Sequence, residues 1–146
     1  MSVDVQVECT IDRPPAVVAA FAGDPARAPR WYVNIKSVEW RTPPPVAVGS
    51  QLDFVARFLG RRLAYTYEVV ELEPERRLVM RTAHGAFPME TTYTWEPVGD
   101  GATRMTLHNR GNPSGFSRVA APMMERAMRR ATTKDLARLK AILEAI

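Results

Sequence analysis

Cysteine and histidine are scarce in this chain of 146 residues, and their scarcity excludes several kinds of site. The single cysteine, Cys9, excludes an internal disulfide and a cysteine-based metal cluster. The two histidines, His84 and His108, have no partner ligands at the spacing that metal sites use. The sequence therefore predicts no metal site.

Long apolar runs are also missing. No segment comes near the roughly 20 consecutive apolar residues that span a bilayer, and the N-terminus has no signal-peptide pattern. We therefore expect no integral membrane association and a cytoplasmic location. The composition, 46% hydrophobic and 25% charged, is ordinary for a globular protein, and the length favours a single domain over residues 1–146.

Motifs for nucleophilic catalysis and phosphate binding are not found either. The chain has no G-x-S-x-G nucleophile elbow and no glycine-rich phosphate loop, and Cys9 has no histidine near it in sequence. The sequence thus contains no complete catalytic motif, and it implies no cofactor.

Positive charge is concentrated near the C-terminus. Residues 1–114 carry 13 basic and 13 acidic side chains, whereas residues 115–146 carry 7 basic and 3 acidic, which accounts for the whole net charge of +4. A basic helix face is either a solvated surface or a surface that attracts an acidic protein or membrane. No aromatic side chain lies among these charges on the predicted helix, so we expect no nucleic-acid partner.

The hydrophobic pattern predicts an antiparallel sheet followed by one long helix. Residues 3–11 alternate between apolar and polar side chains, which is typical of a half-buried strand, and two short helices are predicted between residues 14 and 31. Period-two alternation then recurs in six segments joined by turns: 35–40, 50–58, 62–71, 77–83, 87–96 and 102–109. Residues 117–146 repeat apolar side chains every three or four positions. This order is an α+β arrangement.

Several short motifs accompany this order of elements. They are IDRPP at 11–15, DP at 24–25 with RW at 30–31, ELEP at 71–74 with RL at 77–78, GATR at 101–104, and KDLARLK at 134–140. Together they resemble the START/Bet v 1-like superfamily, and within it the polyketide cyclase/dehydrase-like proteins, over essentially the whole chain. The resemblance implies a helix-grip fold, in which a curved sheet of about seven strands wraps a long C-terminal helix and encloses a pocket for an apolar or amphipathic small molecule. Members of the superfamily include cyclases, lipid and hormone carriers, ring-hydroxylase subunits and chaperone co-factors.

Asp135 is the candidate catalytic residue, because it lies inside the apolar stripe of the long helix between Ala131 and Leu139. A buried carboxylate with a raised pKa could act as a general acid or base in an aldol-type cyclisation or a dehydration. The structural alternatives are that Thr132 and Asp135 form a capping box at a break in the helix, or that Asp135 pairs with an arginine.

The candidate ligand-binding residues are those expected on the inner face of the sheet and on the facing side of the helix. A pocket of this kind is mostly apolar, with a few polar groups that fix the orientation of the ligand, and a volume of about 300 Å³ or more is expected. The polar or hydroxyl-bearing candidates are Tyr65, Tyr67, Thr91, Tyr93 and Asn109, and the apolar candidates are Phe54, Met89, Met105, Phe116, Met124 and Met128. The alternative is ordinary core packing, for which aromatic residues and methionines are also suited.

Three functions are compatible with these features. The first is the binding of a hydrophobic or aromatic small molecule between the sheet and the long helix. The second is a cyclase or dehydratase that acts on a polyketide-like substrate through Asp135 and the tyrosine hydroxyls. The third is an interaction module that uses the basic helix face. Formation of a homodimer stays open, because the sequence indicates no interface.

Overall fold

Seven antiparallel strands and one long helix make up most of the computed structural model, which describes residues 2–85, 87–113 and 120–146. The strands form one sheet in the order β1-β7-β6-β5-β4-β3-β2, with the long helix α3 across it. The predicted helix-grip fold is confirmed. In chain order the elements are β1 (Val3–Ile11), α1 (Pro15–Ala22), a 3-10 turn (Pro25–Arg27), α2 (Ala28–Trp31), β2 (Ile35–Trp40), β3 (Gln51–Phe58), β4 (Arg61–Glu73), β5 (Arg77–His84), β6 (Met89–Val98), β7 (Ala102–Gly111) and α3 (Ala121–Glu144).

The alternation of side chains decides which face of each strand is buried. In β3, Leu52, Phe54 and Ala56 are buried, whereas the residues between them are partly exposed. Successive side chains of a strand point to opposite faces, so this pattern gives the sheet one apolar face. Tight turns keep the pattern in register from strand to strand. In the β6–β7 turn, for example, Gly99 has a φ of 61°, which a residue without a side chain adopts readily.

The apolar face of the sheet is filled unevenly along the helix. Leu136, Leu139 and Leu143, in the C-terminal half of α3, belong to the main core together with Ile11 and Trp31. Met124, in the N-terminal half, belongs to a small separate cluster with Val3 and Phe87. One end of the sheet is therefore solidly packed, and the other end is only partly filled.

Charged side chains of α3 hydrogen-bond to the free backbone of β1, which is one edge of the sheet. The carboxylates of Glu125 and Glu144 accept hydrogen bonds from the amides of Asp4 and Asp12, at 2.9 and 2.7 Å. The guanidinium of Arg129 donates to the carbonyl of Gln6 at 2.9 Å, and the ammonium of Lys140 donates to the carbonyl of Thr10 at 2.7 Å. An exposed edge strand invites pairing with another chain. The helix therefore covers this edge and uses part of its positive charge to do so.

The long helix is continuous from Ala121 to Glu144, without the break near Thr132 that the capping-box alternative requires. The hydroxyl of Thr132 donates to the carbonyl of Met128, one turn earlier, at 2.8 Å. Thr132 therefore caps no helix end, and the capping-box interpretation of Asp135 fails. The helix was predicted to begin at residue 117. It begins four residues later, and residues 117–119 lie outside the described part of the chain.

Substitution of Lys140 by methionine tests the role of the helix charges at the β1 edge. Lys140→Met leaves the Thr10 carbonyl without its helix partner and also removes the contact between Lys140 and Glu144 at 2.6 Å. We expect the free energy of unfolding to fall by at least about 1 kcal/mol, the usual net value of one hydrogen bond. Urea denaturation measures this change. The control is Lys134→Met, because Lys134 is exposed on the same helix and no described residue bonds to its side chain. Equal losses of unfolding free energy in the two variants would show that the contacts of Lys140 at the β1 edge do not stabilise the fold.

Candidate functional site

A cavity of about 150 Å³ lies between the concave face of the sheet and the N-terminal half of α3. Its walls come from all seven strands, from the segment between α2 and β2 and from one side of α3, and most of the lining side chains are apolar. They include Val3, Ile35, Phe54, Ala56, Phe58, Leu63, Met80, Phe87, Met89, Met124, Met128 and Ala131. The cavity occupies the part of the sheet that the leucines of α3 do not reach.

One wall of the cavity is aromatic. The rings of Phe54 and Tyr65 are stacked with their centroids 5.3 Å apart, and the ring of Tyr67 meets that of Tyr65 edge-on at 5.0 Å. The stack follows from the sheet register, because Phe54 and Tyr65 are direct partners on neighbouring strands and point to the same face. This wall offers flat apolar surface to a ring-shaped ligand.

A first polar group on the wall is a chain of three side chains. The hydroxyl of Thr91 donates to Oδ1 of Asn109 at 2.7 Å, and the hydroxyl of Tyr67 lies 2.8 Å from the oxygen of Thr91. Since the proton of Thr91 goes to Asn109, the phenol of Tyr67 donates to Thr91. Burial raises the pKa of Tyr67 to about 12, although the hydrogen bond with Thr91 opposes that rise. These groups are neutral and can orient a polar atom of a ligand.

A second polar group is a pair of tyrosine hydroxyls, those of Tyr32 and Tyr93, which lie 2.6 Å apart. The hydrogen bond between them uses one of their two protons, so the other proton is available to a further acceptor. Burial is the main cause that raises the pKa of both phenols, and the negative charge of Asp135 adds to it. Both hydroxyls therefore stay protonated at neutral pH.

Asp135 lines the cavity from α3 and is only 2% exposed. Its Oδ1 accepts a hydrogen bond from the backbone amide of Val33 at 2.9 Å. Burial raises the pKa of this carboxyl to about 6, while the hydrogen bond from Val33 and the charge of Arg138 oppose the rise. Among the described residues no arginine lies within ion-pair distance of Asp135, so the predicted arginine pairing is wrong.

The other charged residues beside the cavity direct their charges away from it. Glu90 lies between Met89 and Thr91, which point inwards, so its carboxylate is on the outer face of the sheet. There it pairs with Arg110 and with Arg81, whose guanidinium is 2.8 Å away. Arg57 likewise lies between the inward residues Ala56 and Phe58. Asp135 is therefore the one charged side chain that the described cavity buries.

Comparison with known proteins identifies the family of this chain. The family model described as "Polyketide cyclase / dehydrase and lipid transport" matches residues 2–144. The chain belongs to this family. The resemblance to the polyketide cyclase/dehydrase-like proteins that the sequence motifs carry is thereby confirmed. No curated protein matches the chain in sequence.

Several solved structures share the fold of this family member. A START superfamily protein from Mycobacterium smegmatis is 16% identical, with a TM-score of 0.82 and 97% of each chain covered. The protein TTHA0849 from Thermus thermophilus is 22% identical, with a TM-score of 0.79 and the same coverage. Zhui aromatase/cyclase from Streptomyces sp. R1128 is 15% identical, with a TM-score of 0.78, and the match covers 99% of this chain and 94% of that one. At these identities the likeness establishes the fold alone.

Most of the residues predicted to bind a ligand lie at the cavity of this family member. The lining includes Phe54, Tyr65, Tyr67, Met89, Thr91, Tyr93, Asn109, Met124, Met128 and Asp135. Met105 does not line it. Although Met105 is on the inner face of β7, it pairs with Cys9 and Trp95 nearer the packed end of the sheet and is fully buried there. Phe116 lies outside the described residues.

Two lining residues, Tyr32 and Asn34, were missed in the sequence because they lie in the connection between α2 and β2. Neither residue belongs to a periodic pattern, so no rule of alternation could assign it a face. The adjacent aromatic pair Trp31-Tyr32 was the available signal. Tyr32 follows α2 directly in an extended conformation, its ring packs on that of Trp31 with the centroids 4.2 Å apart, and its hydroxyl bonds to Tyr93.

Two further classes of site receive no support from the described residues. No described helix is both long and apolar enough to cross a membrane. In residues 2–85, 87–113 and 120–146, no three histidine, cysteine or acidic side chains are grouped so that they could hold a metal ion. The polar side chains that line the described cavity carry phenols, amides, hydroxyls and a carboxyl.

The raised pKa of Asp135 predicts a stability penalty that depends on pH. The carboxyl titrates near 6 in the folded protein and near 3.8 in the unfolded chain, so folding favours its protonated form. This contribution to stability is complete below pH 3.8 and is lost as the pH rises through 6. One pKa unit corresponds to about 1.4 kcal/mol, so the loss is about 3 kcal/mol.

Asp135→Asn removes this titration while its amide oxygen can still accept the Val33 hydrogen bond. We expect the variant to gain about 2 kcal/mol of unfolding free energy over the wild type between pH 4 and pH 7, because part of the loss of about 3 kcal/mol has already occurred at pH 4. Urea denaturation at the two pH values measures the gain. Asp100→Asn, in the exposed β6–β7 turn, is the control and should show no such gain. A constant difference between Asp135→Asn and wild type would contradict the raised pKa.

Proposed function

We propose that this protein binds a small hydrophobic or aromatic molecule in the cavity between its sheet and α3. The observation that carries the proposal is the cavity itself, which has apolar walls and a few polar groups at separate positions. Sites for small molecules combine these features, because apolar surface supplies affinity and polar groups select the orientation. The family description, which names both cyclases and lipid transport, supports the same proposal.

The size of the cavity narrows the class of ligand. Its volume of about 150 Å³ is smaller than the roughly 300 Å³ expected from the sequence. An apolar cavity of about 150 Å³ holds one benzene ring. We therefore propose a ligand with a single ring inside the cavity. A larger ligand would have to displace flexible side chains, and Met89, Met124 and Met128 can move at low cost because methionine has three rotatable bonds.

Methionine methyl groups give a direct readout of binding. We expect toluene, added to protein labelled with ¹³C at the methionine methyls, to shift the signals of Met89, Met124 and Met128. The signal of Met105 should stay in place, because that side chain is buried away from the cavity. Uniform shifts, or none at concentrations up to the solubility of toluene, would remove the support for the proposal.

A cavity-filling variant localises the binding. Ala131→Phe places a ring in the cavity from α3 and should abolish the toluene shifts. The control is Ala137→Phe, which adds the same ring to an exposed position of the same helix and should bind as the wild type does. Toluene binding that survives in Ala131→Phe would place the ligand elsewhere.

The second candidate function is acid–base catalysis of a cyclisation or dehydration of a polyketide-like substrate. Asp135 favours it, because a carboxyl that titrates near 6 can both accept and return a proton at neutral pH. The hydroxyls of Tyr32 and Tyr93 lie at the same cavity and could polarise a substrate carbonyl. In this reaction the carboxylate would remove a proton next to a carbonyl and leave an enolate. The enolate carbon would attack a second carbonyl, whose oxygen takes the proton back from Asp135, or the enolate would expel a β-hydroxyl, which takes that proton and leaves as water.

A linear poly-β-keto thioester analogue tests this second function. Turnover by the wild type should rise with pH through about 6, as the carboxylate forms, and Asp135→Asn should lower it at least about a hundredfold, the usual contribution of a general base. Product analysis by mass spectrometry measures it. If Asp135→Asn binds toluene normally and turns the analogue over at the wild-type rate, Asp135 is not the base.

The hypothesis that the basic face of α3 binds an acidic partner loses support, because Arg129 and Lys140 already bind the backbone of β1. A cytoplasmic location, the absence of a nucleic-acid partner and the homodimer stay predictions from the sequence.

A further inference from the structure

Only one of the two carboxylate oxygens of Asp135 accepts a hydrogen bond from the described residues. Oδ1 accepts the hydrogen bond from Val33, but Oδ2 has no hydrogen-bond partner among the described residues. The described side-chain atoms that lack a partner and are also inaccessible to water are the indole nitrogens of Trp31 and Trp95. Oδ2 is not among them, so it is accessible, and Asp135 lines the cavity. An ionised oxygen that faces an apolar space without a counter-charge is unfavourable, and a positively charged group placed beside it would relieve that cost.

The surroundings of Asp135 suit a cation better than an anion. The described lining buries no lysine or arginine side chain, because the guanidiniums of Arg57 and Arg110 lie on the outer face of the sheet. Tyr32 and Tyr93 line the same cavity as Asp135, and Asp135 bonds to the amide of Val33, the residue that follows Tyr32. The negative charge of Asp135 contributes to the raised pKa of both phenols. Aromatic faces attract ammonium groups, and a desolvated site strengthens the attraction. A carboxylate with aromatic neighbours is therefore a combination that recognises an amine.

We propose that the cavity selects a ligand with one ring and a protonated amine, whose ammonium group bonds to Oδ2 of Asp135 beside Tyr32 and Tyr93. The inference rests on the proposed binding function and adds the charge of the ligand to it. The ring would occupy the space beside the stacked Phe54 and Tyr65, and the short link to the amine would span towards α3. The amine forms no covalent bond and transfers no group.

Between pH 5 and 7.5, where the amine stays protonated, selection of this kind depends on the charge of Asp135. The amine needs the carboxylate form of Asp135, so affinity falls as the pH drops below about 6. The charged or titratable groups that act on Asp135 are Arg138 on its own helix, Tyr32 after α2, and Tyr93 on β6. The two phenols stay neutral over this range, and the charge of Arg138 stays constant. Asp135 is thus the group whose titration sets the affinity.

Three ligands of matched size separate the contributions of ring and charge. Benzylamine carries the ring and the ammonium, benzyl alcohol carries the same ring with a neutral polar group, and benzoate carries an anion. At pH 7.5, isothermal titration calorimetry should show benzylamine binding at least about tenfold more tightly than benzyl alcohol, the value of a charge-assisted hydrogen bond. Benzoate should bind more weakly than either. The amide signal of Val33 should shift in the same titration, because it bonds to Asp135.

Two changes should remove the preference for the amine. Lowering the pH from 7.5 to 5 leaves about a tenth of Asp135 ionised, so the affinity for benzylamine should fall about tenfold while that for benzyl alcohol stays constant. Asp135→Asn should bind benzylamine and benzyl alcohol equally, and Asp100→Asn should behave as the wild type. The pH series on the wild type decides the matter if Asp135→Asn fails to fold.

The outcomes distinguish this inference from the function on which it rests. If no ligand binds and toluene also fails to bind, the proposed function itself fails. If benzyl alcohol binds as tightly as benzylamine, the cavity binds small molecules but the amine inference is overturned. A preference for benzylamine that persists in Asp135→Asn or at pH 5 also overturns it, because the ammonium would then bind another group.

Discussion

A single helix has to cover the concave face of a seven-stranded sheet, and the rest of the structure depends on this constraint. The face is wider than the apolar stripe of one helix can fill. Leucines pack the C-terminal half of α3 against the sheet, and α1 and α2 close the same end. The N-terminal half carries methionines and Ala131 instead, and it bridges the sheet without filling it. The cavity is thus a product of how side-chain volume is distributed along α3.

Asp135 lies at the boundary between these two halves, one turn before the packed Leu139. Its position explains both its burial and its access to the cavity. A carboxyl in this place opposes folding at neutral pH, and an apolar residue would pack there without that penalty. Stability that a chain gives up at a cavity is typical of a functional group, and this is why both the catalytic and the amine-binding interpretation involve the same residue.

The periodicity of the sequence predicted well which side chains of a strand point to the buried face of the sheet. It did not predict whether such a side chain lies at the packed end of that face or at the cavity. The bounds of β2 and the inward side chains of β3 agree with the predicted ones, because alternation in a half-buried strand has few alternatives. Met105 has the predicted face, yet it lies at the packed end, and only the tertiary arrangement of α1 and α3 decides where packing stops. Tyr32 was missed for a related reason, since its direction depends on how the short α2 meets the sheet. Asp135 could be found because a carboxyl within an apolar stripe is conspicuous in sequence.

The bonds between α3 and the β1 edge also bear on how a molecule would enter the cavity. The helix is held to β1 near both of its ends, through Glu125 and Arg129 on one side and Lys140 and Glu144 on the other. Lifting α3 from β1 would break four polar contacts at once. On the side of the segment after α2, the amide of Val33 is hydrogen-bonded to Asp135 of α3. Displacement of α3 would therefore break fewer of the described hydrogen bonds on the side of the segment after α2 than on the side of β1.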